Sequence, residues 1–447
     1  MTGTIPGMRR LLTACALVAV LASGCGAPTL KPLHRLDSNP RYFTDGSGRA
    51  VYLTGFHTWS NLVDRGRTYP PRPFDYSAYL DRLERNGGNF IRLWTWELPE
   101  YRANDQTWYT SPQPWLRTGP GNARDGRLRF DLTRLDKRYF DRLEQRVREA
   151  NRRGIYVSVM LFEGWETHSA QPPLGWEAHP FAAGNNVNGI AADENGYGLR
   201  FFDTPDRRVL ALQRQYVRRV VDTVGSLPNV LFEISNEPDV GATPWQLGMI
   251  RFVRHELTAH GVSRPVGMTY QRAGNNEQLY AGPADWVSPG GYDFAGDPPL
   301  ADGRKVSLLD TDHLCGICGD AGFVWEAFTR GYNVIYMDDL SHAHERARVA
   351  LGQARAVADA VDLARLQPST DGCSTRYCLV GDGSQSVVYQ PNSGPFTLSL
   401  PSRSGRYRLD WLSARTGATA KRTIRADGVT KLRPPFAGPV VVRVSAG

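Results

Sequence analysis

The chain has 447 residues, enough for two or three domains at roughly 150 residues each. Its composition, 41% hydrophobic, 11% aromatic and 22% charged, excludes an intrinsically disordered protein, and its 45 Gly and 30 Pro make it loop-rich without collagen periodicity. The net charge is +8, yet no Lys/Arg run exceeds a few residues, which argues against a nucleic-acid footprint.

The chain begins with a short basic region, Arg9-Arg10, followed by an apolar stretch over 11–22 that is too short for a stable membrane span. Export is the reading. The stretch ends in Leu21-Ala22-Ser23-Gly24-Cys25, which resembles the lipobox of bacterial lipoproteins, where small residues precede a Cys that is lipidated and becomes N-terminal. Residues 1–24 are therefore expected as a lipoprotein signal peptide, Cys25 as the lipidation site and 25–39 as a tether. An ordinary secretory signal is the alternative. In an oxidising compartment the two close pairs, Cys315/Cys318 and Cys373/Cys378, read as local disulfides.

Beyond the tether, residues 41–53 read as a hairpin with an Asp45-Gly46 turn. Eight short apolar runs then suggest strands at 51–59, 89–97, 156–165, 229–237, 265–270, 286–292, 305–313 and 332–338. Helical periodicity lies between several of them. Tyr76, Tyr79, Leu80 and Leu83 follow an Asp75 cap. Val209, Leu212, Tyr216, Val217, Val220, Val221 and Val224 form one stripe opposite a solvated arginine face, and Ala347 to Val361 gives a last helix rich in small residues. Eight such alternations predict a (β/α)8 TIM barrel over 40–367. A doubly wound sheet would need a Gly-rich phosphate loop after the first strand, and Gly55-Phe56-His57-Thr58-Trp59 is not one. From about Pro368 the period changes to short alternating runs at 386–389, 396–400, 407–412 and 440–444, so 368–447 is expected as a small all-β sandwich. Tyr407 and Trp411 alternate there with apolar neighbours and read as core.

In such a barrel the active site lies at the C-terminal strand ends. The fourth strand ends Phe232-Glu233-Ile234-Ser235-Asn236-Glu237-Pro238, with Glu237 last and Glu233 deeper on the same face, where an interior hydrogen-bonded role is expected. Glycoside cleavage needs a carboxylic acid that keeps its proton until it is given to the leaving oxygen, and a second carboxylate across the sugar. Asn236-Glu237-Pro238 resembles the Asn-Glu-Pro signature of clan A glycoside hydrolases, particularly the cellulase-like family 5. Asn89-Phe90-Ile91-Arg92-Leu93-Trp94 is similar to that family's second strand, whose Arg reaches the nucleophile region. The resemblance covers roughly residues 40–367 and extends to exported barrels followed by a small β domain of the collagen-binding type.

The resemblance implies hydrolysis of a β-linked glycoside or polysaccharide, with Glu237 as acid/base and Arg92, Asn236 and Tyr292 as orienting residues. Strand seven departs from the pattern. Leu308-Leu309-Asp310-Thr311-Asp312-His313 has no Glu where family 5 places its nucleophile. Asp310 and Asp312 share parity, so both are expected to face the barrel mouth, with Asp312, nearer the strand end, placed first. Because Asp is one methylene shorter than Glu, retention and inversion both stay open, with retention expected.

His57, Trp96, Glu97, Glu163, Trp165 and His313 sit at strand ends, and six of the eleven Trp lie between Trp94 and Trp176. Trp96, Trp108 and Trp165 are the expected stacking platforms for sugar rings. Two alternatives stand beside the hydrolase: a barrel that binds glycans without cleaving them, and a metal-dependent hydrolase using His57, His313, His342 and His344 with Asp310, Asp312 and Asp338. No cofactor is expected. The expected partners are an oligo- or polysaccharide substrate and the outer face of the cell membrane through a lipid anchor only, with no nucleic acid, for a monomer.

Overall fold

The computed structural model describes residues 29–167, 175–193, 196–291, 293–401 and 405–447. Cys25 and Tyr292 lie outside the described residues. Each of the eight apolar runs contains a strand: β1 (Gly55–His57), β2 (Phe90–Leu93), β3 (Tyr156–Glu163), β4 (Val230–Asn236), β5 (Val266–Thr269), β6 (Trp286–Ser288), β7 (Val306–Asp310) and β8 (Asn333–Met337). All pair in parallel in the order β1-β8-β7-β6-β5-β4-β3-β2. The seam between β2 and β1 is joined just before the strands begin, where Asn89 N and Phe90 N both donate to Thr54 O. The backbones come so close there that a Cβ on Gly55 would lie 2.1 Å from Phe90 O, so only glycine fits. The result is a nearly closed TIM barrel.

The helices follow the apolar stripes. In α1 (Tyr76–Arg85) the Asp75 side chain accepts from Ala78 N, and Tyr76, Tyr79, Leu80 and Leu83 are buried. A further helix, α2 (Lys137–Arg152), buries Tyr139, Phe140, Leu143 and Val147. Asp206 caps α3 (Arg207–Val224), whose buried face is the valine stripe. Then come α4 (Thr243–Ala259), the short α5 (Asn276–Ala281), α6 (Ala321–Thr329) and α7 (Glu345–Asp359).

Residues 29–39 differ from the expected tether. His34–Arg35 pairs antiparallel with Phe43–Thr44, and Phe43 bridges Val51, closing the predicted hairpin. Leu33 and Phe43 pack with Leu53, Phe90, Tyr156, Leu231, Trp286 and Leu308 at the N-terminal end of the barrel. The apolar Leu33 and Leu36 among the polar residues were the signal for a plug rather than a tether.

The C-terminal strands are β9 (Gln367–Ser369), β10 (Cys378–Val380), β11 (Gln385–Gln390), β12 (Phe396–Ser399), β13 (Gly405–Ser413), β14 (Thr419–Ala426), β15 (Val429–Leu432) and β16 (Val440–Ala446). They form a six-stranded antiparallel sheet, β9-β10-β11-β16-β13-β14, and a two-stranded one, β12-β15. Phe396, Leu398 and Leu432 of the small sheet pack onto Val388, Tyr407, Leu409, Trp411 and Val442 of the large one, so Tyr407 and Trp411 are core as expected. Cys315–Cys318 and Cys373–Cys378 are both bonded. Among the described residues no helix is long and apolar enough to cross a membrane.

Part of the other face of the large sheet is also buried. Leu379, Val387, Tyr389 and Val441 join the barrel core, with Tyr389 stacked on Trp325 of α6 at 6.4 Å. Residues 367–447 therefore cover apolar surface that the barrel cannot leave bare. A chain ending at Leu366 should unfold at a temperature on the order of 10 °C lower than the full chain in calorimetry, since several large apolar side chains lose their cover. A truncated barrel that melts with the full chain would show the contact to be incidental.

Candidate active site

Arg92 points from β2 into the barrel and is buried. Its Nε donates to Glu233 Oε2 at 2.9 Å and its Nη2 to Glu233 Oε1 at 2.5 Å, a bidentate pair that confirms the interior role read for Glu233. Nη2 also reaches Asn236 Oδ1 at 2.7 Å, while Nη1 donates to Asp310 Oδ2 at 2.9 Å and to Asp312 Oδ2 at 3.1 Å. One guanidinium thus ties together strands two, four and seven.

The two strand-seven aspartates both reach Arg92 but sit at different depths. Strand β7 stops at Asp310, whose Oδ1 accepts from Asp312 N at 3.0 Å and so caps a single 3-10 turn, Thr311–His313. Alternation ends where the strand ends, and the turn carries Asp312 out to the cleft. Asp310 stays fully buried, receiving His57 Nε2 at 2.8 Å. Burial alone would raise the Asp310 pKa, but the His57 and Arg92 charges outweigh it and hold the carboxyl below the usual range.

Glu237 is the first residue past β4, with φ +41°, a left-handed conformation that costs a non-glycine residue energy. The Asn236–Glu237–Pro238 turn rests directly on Gly164 after β3. A Cβ there would lie 2.5 Å from Asn236 O and 2.6 Å from Pro238 Cα. Glu237 and Asp312 line one cleft of about 430 Å³. Burial pushes the Glu237 pKa well above the carboxylate range, and the Asp312 charge adds to it against the opposing effect of Arg92. Burial also raises Asp312, to about 6, where Arg92 pulls it down and Asp310 pushes it up. Two carboxyls raised by burial thus face a shared space, with Asp312 held by Arg92.

Several expected substrate contacts are placed behind the cleft wall instead. His57 serves Asp310. His313 spans Ser288 Oγ, 2.7 Å from Nδ1, and Asn236 Oδ1, 3.0 Å from Nε2. Since Asn236 Oδ1 can only accept, Nε2 carries the proton, and burial keeps this imidazole neutral. Glu97, Glu163 and the unforeseen Glu166 form a buried relay. Glu166 accepts from Glu97 N at 2.9 Å, Glu97 accepts from Glu163 N at 3.2 Å, and Glu163 accepts from Trp165 N and from Asn236 Nδ2, both at 3.0 Å. These side chains aim at backbone amides because the loops after β2 and β3 leave those donors without strand partners. Burial raises all three carboxyls, Glu97 to about 8.

The expected aromatic wall is present, with changed parts. Trp165 and Trp59 are half-buried and line the cleft. Trp96 is only 3% exposed, stacked on Tyr101 at 4.8 Å, and backs the wall. Trp108 lines the cleft, but the Arg65 guanidinium lies 3.7 Å from its ring centre. Sequence reasoning missed Arg65 and Tyr101. Tyr101 stands on the hairpin Glu100–Ala103/Gln106–Ser111, whose Asn104-Asp105 turn, at φ +50° and +56°, was a readable hairpin signal. Arg65 is on Asp64–Gly66, the third strand of that small sheet. Among the described residues no group of three or more His, Cys, Asp or Glu is placed to hold a metal ion, and His344 bonds the Tyr336 hydroxyl at 3.2 Å.

A domain family described as a domain of unknown function (DUF6298) matches residues 101–245, which include Glu163, Asn236 and Glu237. No curated protein matches the chain. Solved structures of similar fold include a provisionally assigned glycoside hydrolase from Bacteroides vulgatus, 14% identical, with TM-score 0.62 over 94% of this chain and 83% of that one. A family 5 glycoside hydrolase from the same organism is 12% identical, with TM-score 0.59 over 93% of each chain. A third structure, described as a glycoside hydrolase, is 11% identical, with TM-score 0.56 over 93% of this chain and 97% of that one. At such identities the likeness is one of fold, and it runs through both the barrel and the β domain.

The buried relay has a pH signature. Folding raises the Glu97 pKa, so its stabilising share is fully present below the ordinary Glu range and is lost as pH climbs towards 8. Thermal unfolding followed from pH 5 to pH 9 should show the unfolding temperature falling on the alkaline side, and Glu97→Gln should flatten that fall. An unchanged profile in the variant would contradict the assignment.

Proposed function

We propose that the chain is a glycoside hydrolase that cleaves a β-linked glycoside or polysaccharide with retention of configuration. The observation that carries the reading is that two carboxyls face one cleft in different settings: Asp312, bonded to Arg92 and ionising near 6, and Glu237, pushed by burial well above the carboxylate range. Glu237 gives its proton to the glycosidic oxygen as the bond to the anomeric carbon breaks, and an Asp312 oxygen forms the new bond to that carbon. Water then attacks the same carbon, Glu237 takes the water's proton, and the Asp312 ester bond breaks to release the sugar. Arg92 holds Asp312 in line. Asn236, clamped by Arg92, His313 and Glu163, keeps one Nδ2 proton for the sugar 2-hydroxyl. Tyr292 takes the positioning role beside the nucleophile that the family resemblance implies. Asp310 is a positioning residue under this reading and not the nucleophile.

Glu237→Gln should lower turnover by about 10²–10⁴-fold on glycosides with poor leaving groups and far less on activated aryl glycosides. Asp312→Asn should abolish turnover on both. Activity should rise through pH 6 as Asp312 ionises and fall on the alkaline side as Glu237 deprotonates, and Glu237→Gln assayed on an aryl glycoside should lose the alkaline limb. Product anomers read by NMR distinguish retention from inversion. Full turnover of an unactivated glycoside by Glu237→Gln would overturn the assignment.

Location belongs to the same proposal, on the evidence of the lipobox-like Leu21–Cys25 sequence: an exported lipoprotein held by a lipid on Cys25. Cys25→Ala should release the protein from membranes, and globomycin should leave an uncleaved precursor. Unchanged attachment of Cys25→Ala would contradict it.

A further inference from the structure

A second hollow of about 330 Å³ lies beside the start of α1, and Arg65 lines both this space and the cleft. Arg72 and Arg82 line the second space as well. Its one carboxylate, Asp75, is engaged in capping α1 through Ala78 N at 3.0 Å.

Arg65 is held in an unusual way for a cleft cation. Its guanidinium lies 3.7 Å from the Trp108 ring centre and 5.1 Å from that of Trp59, so its plane is fixed by aromatic neighbours. Nε donates to the Tyr101 hydroxyl at 2.5 Å, the only side-chain hydrogen bond of Arg65 among the described residues. Other arginines of this region have partners: Arg142 pairs with Asp64 at 2.9 Å, Arg127 with Asp125 at 2.8 Å, Arg92 with the carboxylates around it, and Arg67, 5.0 Å from the Trp108 ring centre, donates to Gln106 Oε1. Arg65 keeps its two terminal nitrogens, a planar fork of donors, for the space in front of it. That fork matches the two oxygens of a carboxylate or sulfate. A neutral sugar would offer it only hydroxyls, and the stacked indoles leave it no conformational escape.

We propose that Arg65 forms a subsite for an anionic sugar residue, a uronate or a sulfate ester, on the strand-one side of the bond to be cleaved. The proposal rests on the glycoside hydrolase reading and narrows it to an acidic glycan. Arg72 and Arg82 extend the positive potential along the path that further residues of such a chain would follow, and salt should weaken their share first.

The test is binding by the full chain carrying Glu237→Gln, measured by calorimetry with matched pairs of probes. One pair is β-1,4-linked glucuronate oligosaccharides and their carboxyl-reduced counterparts; the other is κ-carrageenan oligosaccharides and their desulfated counterparts. At least one anionic member should bind about tenfold or more tightly than its uncharged mate, as expected for a charge-assisted bidentate contact. That advantage should shrink with added salt, disappear in Arg65→Gln and survive only in part in Arg65→Lys, which keeps the charge without the fork. Melting temperatures of both variants check that they fold. Equal binding within both pairs, preference for the neutral members, or an advantage that persists in Arg65→Gln would overturn the subsite. Wild type that cleaves neutral glycans without discrimination sinks the subsite and leaves the hydrolase standing. Anionic discrimination without any turnover by wild type does the reverse.

Discussion

The structure of the site depends on one buried cation. Arg92 is buried in the barrel interior, and its cost of desolvation is met by Glu233, Asp310, Asp312 and the Asn236 side-chain oxygen. Removing it would strand several carboxylates in a medium that cannot solvate them, so barrel stability and site geometry are the same constraint here. The guanidinium also sorts the acids. Glu233, doubly bonded, and Asp310, shared with His57, are used up inside. Asp312 accepts one Arg92 bond at the rim, and Glu237 lies where burial and the Asp312 charge push its carboxyl upward against the Arg92 charge.

Around that centre the loops after β2 and β3 carry the rest. Their own backbone donors are closed by Glu97, Glu163 and Glu166, which is why a run of acids lies behind the wall rather than in the cleft. The same loops present Trp165, and the hairpins between β2 and α2 bring Tyr101 and Trp108 against Arg65. The cleft therefore has an acidic floor, an aromatic side and a cationic rim. Each comes from a different stretch of chain, and they are joined through Asn236, which bonds the floor and the Glu163 relay at once.

Much of this was legible in the sequence because strands buried on both faces read as continuous apolar runs, and all eight were found where such runs occur. Glu237 was legible because it ends such a run beside Pro238. For the aspartates, parity brought both towards Arg92 but could not give their depths, since Asp310 ends its strand by capping the next turn. His57, His313, Glu97 and Glu163 looked like cleft residues because a strand end looks exposed in sequence. Only the folded chain reveals that a second polar partner, Asp310, Asn236 or a loop amide, covers each one. Residues 29–39 carry only a weak signal: Leu33 and Leu36 are apolar but too few to show a period, and Leu33 packs into the barrel end.

The central claim is that Asp312, and not Asp310, presents the reactive carboxylate opposite Glu237. A panel of sugar-configured epoxide inactivators, applied to the wild-type protein and read by peptide mapping in a mass spectrometer, tests it directly. The account predicts one covalent ester, on Asp312, formed faster as pH rises through about 6. An ester on Asp310, or inactivation that leaves Asp312 unmodified, would contradict it.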